Sequence, residues 1–177
     1  NLNNNTNSNI TVNFSITTSY DGCTSNPLVI PVVVKARPLI SISNSSPPQA
    51  ICHNTTMNAM ILSSANTPAL SGTTYTWTIT TNTNITGASA GTGSQISQVL
   101  TNSSATIQTI IYTVTPTSGA AGACVGSTFT TTVTVNPTPA LSSTLAPAAI
   151  CSGVTFGYTA TSATVASSGS VVMTWSR

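Results

Sequence analysis

Between residues 73 and 80 the chain reads Thr-Thr-Tyr-Thr-Trp-Thr-Ile-Thr, so Tyr75, Trp77 and Ile79 alternate with threonines at a period of two. Successive side chains of a strand point to opposite faces. The pattern therefore predicts a half-buried strand with one apolar face and one hydroxyl face. Trp77 is the largest side chain of the stretch and is assigned to the centre of a core. The element returns as Val171-Val172-Met173-Thr174-Trp175, which places Trp175 98 positions after Trp77. A recurring tryptophan strand predicts tandem repeats, with Trp77 and Trp175 in like surroundings.

Taken in order, residues 1–38 read as the last part of one repeat. Residues 11–17 alternate as a strand, Asp21-Gly22 signals a hairpin turn, and residues 28–36 form a second strand. Pro31 inside that strand suits a sheet edge or a bulge. Residues 39–137 read as one complete repeat, with strands at 39–43, 57–63, 73–80, 96–101, 106–115 and 128–135 and a short one at 84–89. Gly91-Thr92-Gly93 is predicted as a turn and Pro47-Pro48 as a stiff connection. Residues 96–101 and 106–115 are predicted to pair antiparallel around Asn102-Ser103-Ser104. About seven strands in about 100 residues is the pattern of an immunoglobulin-like sandwich. Residues 138–177 read as the start of a further repeat, with strands expected at 154–159 and 171–175.

Further landmarks support the period. Cys52 and Cys151 are 99 positions apart, Phe14 and Tyr112 98, Cys23 and Cys124 101, and Pro38 and Pro137 99. The wobble falls in the loop before each late cysteine, where insertions are tolerated. The two end pieces carry too few strands to bury both faces of a sheet alone. They need the rest of a longer array, of which this chain is expected to be a slice, or strands from a neighbouring copy, as in strand addition within a fibre.

Composition narrows the function. Only 2% of the 177 residues are charged and the net charge is +2, against about 25% charged residues in ordinary domains. Solubility rests on Thr, Ser and Asn, so salt has little to screen. Nucleic acid is not an expected partner, because phosphate neutralisation needs clustered Lys and Arg. Disorder is rejected because 40% of residues are hydrophobic and fall in alternating β-branched runs. No run of 18 apolar residues exists, so no membrane span is predicted.

Several motifs together resemble the PKD-like repeats of giant surface proteins in Bacteroidota, including gliding-motility adhesins and other cargo of the type IX secretion system. They are Ile51-Cys52, Ile150-Cys151-Ser152-Gly153, the Thr-x-Trp strand, Asn102 before Tyr112-Thr113-Val114-Thr115-Pro116, and Thr132-Val133-Thr134-Val135-Asn136-Pro137. Cys52 departs from the pattern, being followed by His53-Asn54, and so does the ending Val34-Lys35-Ala36-Arg37-Pro38. The resemblance implies an all-β chain of tandem Ig-like sandwiches in an extended extracellular filament or adhesin stalk, without catalysis. Its implied partners are neighbouring repeats, copies of the same protein in a fibre, and a surface polysaccharide.

The candidate chemistry is sparse. The four cysteines, Cys23, Cys52, Cys124 and Cys151, are disulfide candidates in an oxidising compartment. Pairing Cys52 with Cys124 would close a 72-residue loop, worth about 4 kcal/mol on a chain-entropy basis. Strand counting instead places these two at opposite poles, so that an early cysteine faces the late cysteine of the next repeat. Both pairings stand open at this point. Asp21 is the only acid and His53 the only histidine, which excludes paired-carboxylate catalysis and a zinc site within the chain. No cofactor or metal site is predicted. Lys35 as an isopeptide donor lacks a neighbouring acid. Asn-x-Ser/Thr sequons begin at Asn4, Asn9, Asn13, Asn44, Asn54, Asn84 and Asn102, and glycosylation suits a secreted repeat. Trp77, Trp175, Tyr112 and Phe14 are assigned to repeat cores. The alternative function is a carbohydrate-binding accessory module, which would need Tyr75 and Trp77 exposed and coplanar.

Overall fold

Alternation of threonine with β-branched and aromatic residues builds the strands that fall between Ile10 and Asn136. The computed structural model, which describes residues 1–45, 48–119, 123–164 and 171–176, is all-β. Pro47, residues 120–122 of the loop before Cys124, residues 165–170 and Arg177 lie outside the described residues.

The N-terminal part holds β1 (Ile10–Ile16), β2 (Ser19–Tyr20), β3 (Cys23–Thr24) and β4 (Leu28–Val34). β1 pairs antiparallel with β4, and β2 with β3. Asp21 and Gly22 join β2 to β3 with φ of 46° and 80°. Two central residues with positive φ make the turn whose twist suits a hairpin, and Asp-Gly tolerates it. Pro31 lies opposite Asn13 in a ladder of two strands only, so it occupies an edge as predicted.

Residues 39–137 contain β5 (Ile40–Ile42), β6 (Gln49–Cys52), β7 (Thr55–Thr56), β8 (Met60–Ser64), β9 (Thr74–Ile79), β10 (Ile85–Thr86), β11 (Gly91–Thr92), β12 (Gln95–Ile96), β13 (Val99–Asn102), β14 (Gln108–Thr117) and β15 (Phe129–Asn136). One sheet has the order β11-β9-β14-β15-β6 and is antiparallel except for β15–β6. The other face is built from β12-β8-β5 and β10-β13-β7. Tyr75, Trp77, Ile110, Tyr112, Val114, Val133 and Val135 project from the first sheet into one core with Met60, Leu62, Ile85, Ile96 and Leu100. Each of these strands contributes every second residue, which is the Ig-like sandwich predicted from the alternation. The first strand of the sandwich is split. β5 pairs with β8, the chain turns at Asn44 (φ 56°), and β6 then pairs with β15. The Gln49 amide pins this crossing by donating to the carbonyls of Asn44 (2.9 Å) and Asn58 (2.8 Å).

Four expectations need correction. Residues 96–101 and 106–115 do not pair. β13 lies with β7 and β10, whereas β14 is flanked on both sides by β9 and β15 and has no free edge to offer. Gly91-Thr92 is not a turn but an edge strand on β9, placed under the Trp77 ring, where a Cβ at Gly91 would come within 2.6 Å of Cζ2. The strand expected at 84–89 shrinks to β10. Finally, 154–159 and 171–175 form no strand, because among the described residues no partner ladder lies beside them.

Candidate functional site

Reactive groups are scattered rather than gathered. Asp21 sits in the β2–β3 turn, and Lys35 follows the far end of β4, so the acid and the amine of the imagined isopeptide lie at opposite ends of one hairpin. The Nδ1 of His53 lies 2.7 Å from the Asn102 carbonyl, a structural contact in the loop after β6. Among the described residues no group of three His, Cys, Asp or Glu side chains could hold a metal ion.

The aromatic residues of the sandwich are core residues. Trp77 is 8% exposed and Tyr112 0%. Their polar handles meet in one network. Trp77 Nε1 donates to the Ser89 carbonyl (3.0 Å), the Gln98 amide donates to the same carbonyl (3.0 Å), and the Tyr112 hydroxyl donates to Gln98 Oε1 (2.7 Å). Each buried donor thereby finds an acceptor, as burial requires. Burial raises the Tyr75 phenol and pushes the Tyr112 phenol up to about 12. A sugar-stacking platform on Tyr75 and Trp77 is thus absent. Trp175 and Phe14, expected in repeat cores, are 68% and 45% exposed. The two tryptophans therefore differ in surroundings, contrary to the expectation. Trp77 is covered by β14, β11 and the opposite sheet, while Trp175 meets Tyr158 edge-on at 5.6 Å and lies in no sheet.

The structure also shows what periodicity alone did not reveal, namely a recurring set of polar clamps. Asn102 is 2% exposed and closes the corner between β13 and β14. Its amide donates to the carbonyls of Thr106 (2.8 Å) and Val135 (2.9 Å), and its Oδ1 accepts from the Ser104 N–H and hydroxyl (both 2.9 Å). Asn4 makes the same four bonds. Its amide donates to Ser8 and Val34 carbonyls (both 2.8 Å), and its Oδ1 accepts from the Thr6 N–H (2.9 Å) and hydroxyl (2.7 Å). The sequons at Asn4 and Asn102 thus encode side-chain turns, in which the third-position hydroxyl and N–H serve the asparagine. The Asn102 amide is engaged and buried, which leaves no room for a glycan there.

A second clamp sits where the N-terminal hairpin meets the sandwich. Asn66 is buried and accepts the Leu39 N–H on Oδ1 (2.7 Å), while its amide donates to the carbonyls of Arg37 and Asn7 (both 3.0 Å). Ala36 and Pro38 are buried, and the Ala36 N–H donates to Asn9 Oδ1 (3.0 Å). Gly126 packs so closely on the Pro38 carbonyl that a Cβ would lie 2.0 Å from it. The connection is therefore held from both sides. Thr164 repeats the linker half of the clamp on an exposed segment, since its hydroxyl accepts the Ala140 N–H (3.0 Å) and donates to the Thr138 carbonyl (3.4 Å). These bonds align Pro38 with Pro139 rather than with Pro137.

The cysteines occupy separate places. Cys52 is the register partner of Asn136, and the Cys124 carbonyl accepts the Ser118 N–H, so the two stand at opposite ends of the β14–β15 ladder. Ten strand residues separate those ends, roughly 30 Å, far beyond the Cα limit of about 7 Å for a disulfide. The pairing within residues 39–137 is thereby ruled out, and no disulfide is present among the described residues. Among the described residues no helix is long and apolar enough to cross a membrane.

A family described as PKD-like domain matches residues 49–139. No curated protein matches the chain.

Proposed function

The chain belongs to the family of PKD-like domains, and from that premise we propose that it is a structural and adhesive segment of a long, secreted, surface-attached filament, of the kind found in large Bacteroidota adhesins. In this reading residues 1–38 end one repeat, 39–137 form a whole one, and 138–177 begin another. Its work is mechanical rather than catalytic. The observation that carries the reading is the recurrence of the Asn102 corner at Asn4 and of the Asn66 linker bonds at Thr164. At the Pro38 joint the linker is buried and hydrogen-bonded on both sides, and such a joint transmits orientation from one unit to the next, which a stalk needs and a flexible tether does not provide.

The cysteines fit a staple between consecutive units. The early cysteine, Cys52, stands at the exit pole and the late cysteine, Cys124, at the entry pole of the sandwich. Cys52 would join the late cysteine of the following unit, two thiols losing two protons and two electrons to a thiol oxidant outside the cytoplasm. Neighbouring repeats, like copies in a fibre and surface polysaccharide are the partners of this reading.

Antibodies against residues 39–137 test it on intact cells of the source. Surface labelling with fibre-like projections in electron micrographs is the expected result. Labelling that appears only after permeabilisation would remove the proposal. Peptide mapping without reductant should link the Cys52 peptide to a late-cysteine peptide of the next unit.

A further inference from the structure

Tension along the chain enters the sandwich at Leu39 and leaves it at Asn136, because the chain runs on from both ends of residues 39–137. The two points lie at opposite poles. Pro38 packs on Gly126 just ahead of β15, whereas Asn136 stands beside Cys52 at the far end of that strand. Load therefore draws β5 and β6 towards the first pole and β15 towards the second.

β6 and β15 run parallel, with Gln49, Ala50, Ile51 and Cys52 in register with Val133, Thr134, Val135 and Asn136. Opposed pulls on parallel neighbours act along the strands and across the ladder, so its bonds are loaded together. An antiparallel pair pulled at its open end behaves differently. β1–β4, loaded at the register partners Ile10 and Val34, gives up its bonds one at a time.

The split of the first strand sets a second element ahead of this clasp. Among the described residues β5 has one neighbour in its sheet, β8. Its three register pairs are flanked by bonds from the Ala65 N–H to the Leu39 carbonyl (2.9 Å) and from the Ser43 N–H to the Ile61 carbonyl (3.1 Å). At the other end of the load path, β15 is held along seven pairs by β14 and along four by β6. β5 is thus the weaker grip. Once it leaves β8, the load reaches the crossing at Asn44. There the Gln49 amide holds the Asn44 and Asn58 carbonyls, and the Asn44 amide holds the Ala59 carbonyl (2.8 Å). Gln49 is also the first residue of β6, so the slack ends where the parallel clasp begins.

We infer that the split first strand is a two-stage tension element. β5 releases from β8 under load and lengthens the chain, and β6 on β15 then holds the core closed. The inference deepens the stalk reading and rests on it for its purpose, since a stalk carries tension.

Single-molecule force spectroscopy on the 177-residue chain tests it, with fused tags at both ends as handles and reductant to keep the cysteines apart. The sandwich should open in two steps. The first frees residues 39–48, whose full reach is about 35 Å. The second, at higher force, frees residues 49–136, whose full reach is about 300 Å. Ser41→Pro should erase the first step and leave the second force unchanged. Ser41 lies between Leu39 and Ser43 and turns its backbone to β8 as they do, so proline removes a bond there. Ile51→Ala loosens β6 on the core and should lower the second force alone. Leu100→Ala opens a cavity in the core away from the load path. It should lower urea stability more than Ile51→Ala does, yet lower the second force less. A sandwich that opens in one step, a first step that survives Ser41→Pro, or a second force that merely follows urea stability would each overturn the inference. Any of these would leave the stalk reading standing, since labelling on cells decides that reading separately.

Discussion

Two hairpins in this molecule, β14–β15 and β1–β4, share one register and differ in burial. Tyr112 is 0% exposed and its counterpart Phe14 is 45% exposed. In β1–β4 the backbone pairing, the Asp-Gly turn beyond it and the Asn4 corner form without the second sheet. Burial does not, because it depends on strands distant in the chain. The comparison separates what a hairpin does alone from what a sandwich adds, and four experiments can break or sharpen it.

The largest contrast should come from the aromatic pair. Tyr112→Ala should cost about 4 kcal/mol, through lost transfer energy and a cavity in a filled core. Phe14→Ala should cost less than about 1 kcal/mol when measured by urea unfolding in dilute, monomeric conditions, because the side chain is already half in water. Equal losses would show that the β1–β4 face is covered in solution.

Next come the corner asparagines. Asn102→Ala leaves the buried Val135 carbonyl without its side-chain donor and should cost about 2 kcal/mol. Asn4→Ala removes the same bonds in a half-buried setting and should cost about 0.5 kcal/mol, because water takes their place. Denaturant midpoints of the two variants give the ratio.

Third, Gly91→Ala forces a methyl to within 2.6 Å of the Trp77 ring and should cost about 1–3 kcal/mol by overpacking. Gly157→Ala, with nothing within 4 Å, should be close to neutral. Tryptophan fluorescence during thermal unfolding separates them, since Gly91→Ala should also shift the Trp77 emission.

The smallest effect is a slope. The Tyr112 phenol titrates at about 12 when folded, against an ordinary 10.0. Below pH 10 both states hold the proton and stability is constant in this respect. Above it the unfolded chain loses its proton first, so stability falls as pH rises towards 12. Tyr112→Phe should flatten that fall, and Phe14, with no phenol, gives the N-terminal hairpin no such term.

Much of the fold was legible because it is local. The alternation in 73–80 predicted β9, and Asp21-Gly22 predicted the β2–β3 turn. Residues 106–115 and 128–135 anticipated β14 and β15 within two or three positions. The adjacency of β13 and β14 was misread, since nothing within ten residues says that Asn102 will reach the Val135 carbonyl and carry the chain to the other sheet. The clamps of Asn4, Asn66 and Asn102 were visible only as sequons or polar loop residues. Their signal was present in the spacing, because Asn4-x-Thr6-x-Ser8 and Asn102-x-Ser104-x-Thr106 recur 98 positions apart.

The chain by itself determined strand faces, turn positions and the recurrence of landmarks. Backbone dihedrals, period-two alternation and side-chain turns act over a few residues and need no distant partner. Tertiary structure alone decided which strands became neighbours, that Cys52 and Cys124 stand at opposite poles, and that Trp77 is covered while Trp175 is not. Those outcomes depend on surfaces brought together across tens of residues, and an apolar side chain leaves water only where such a surface arrives.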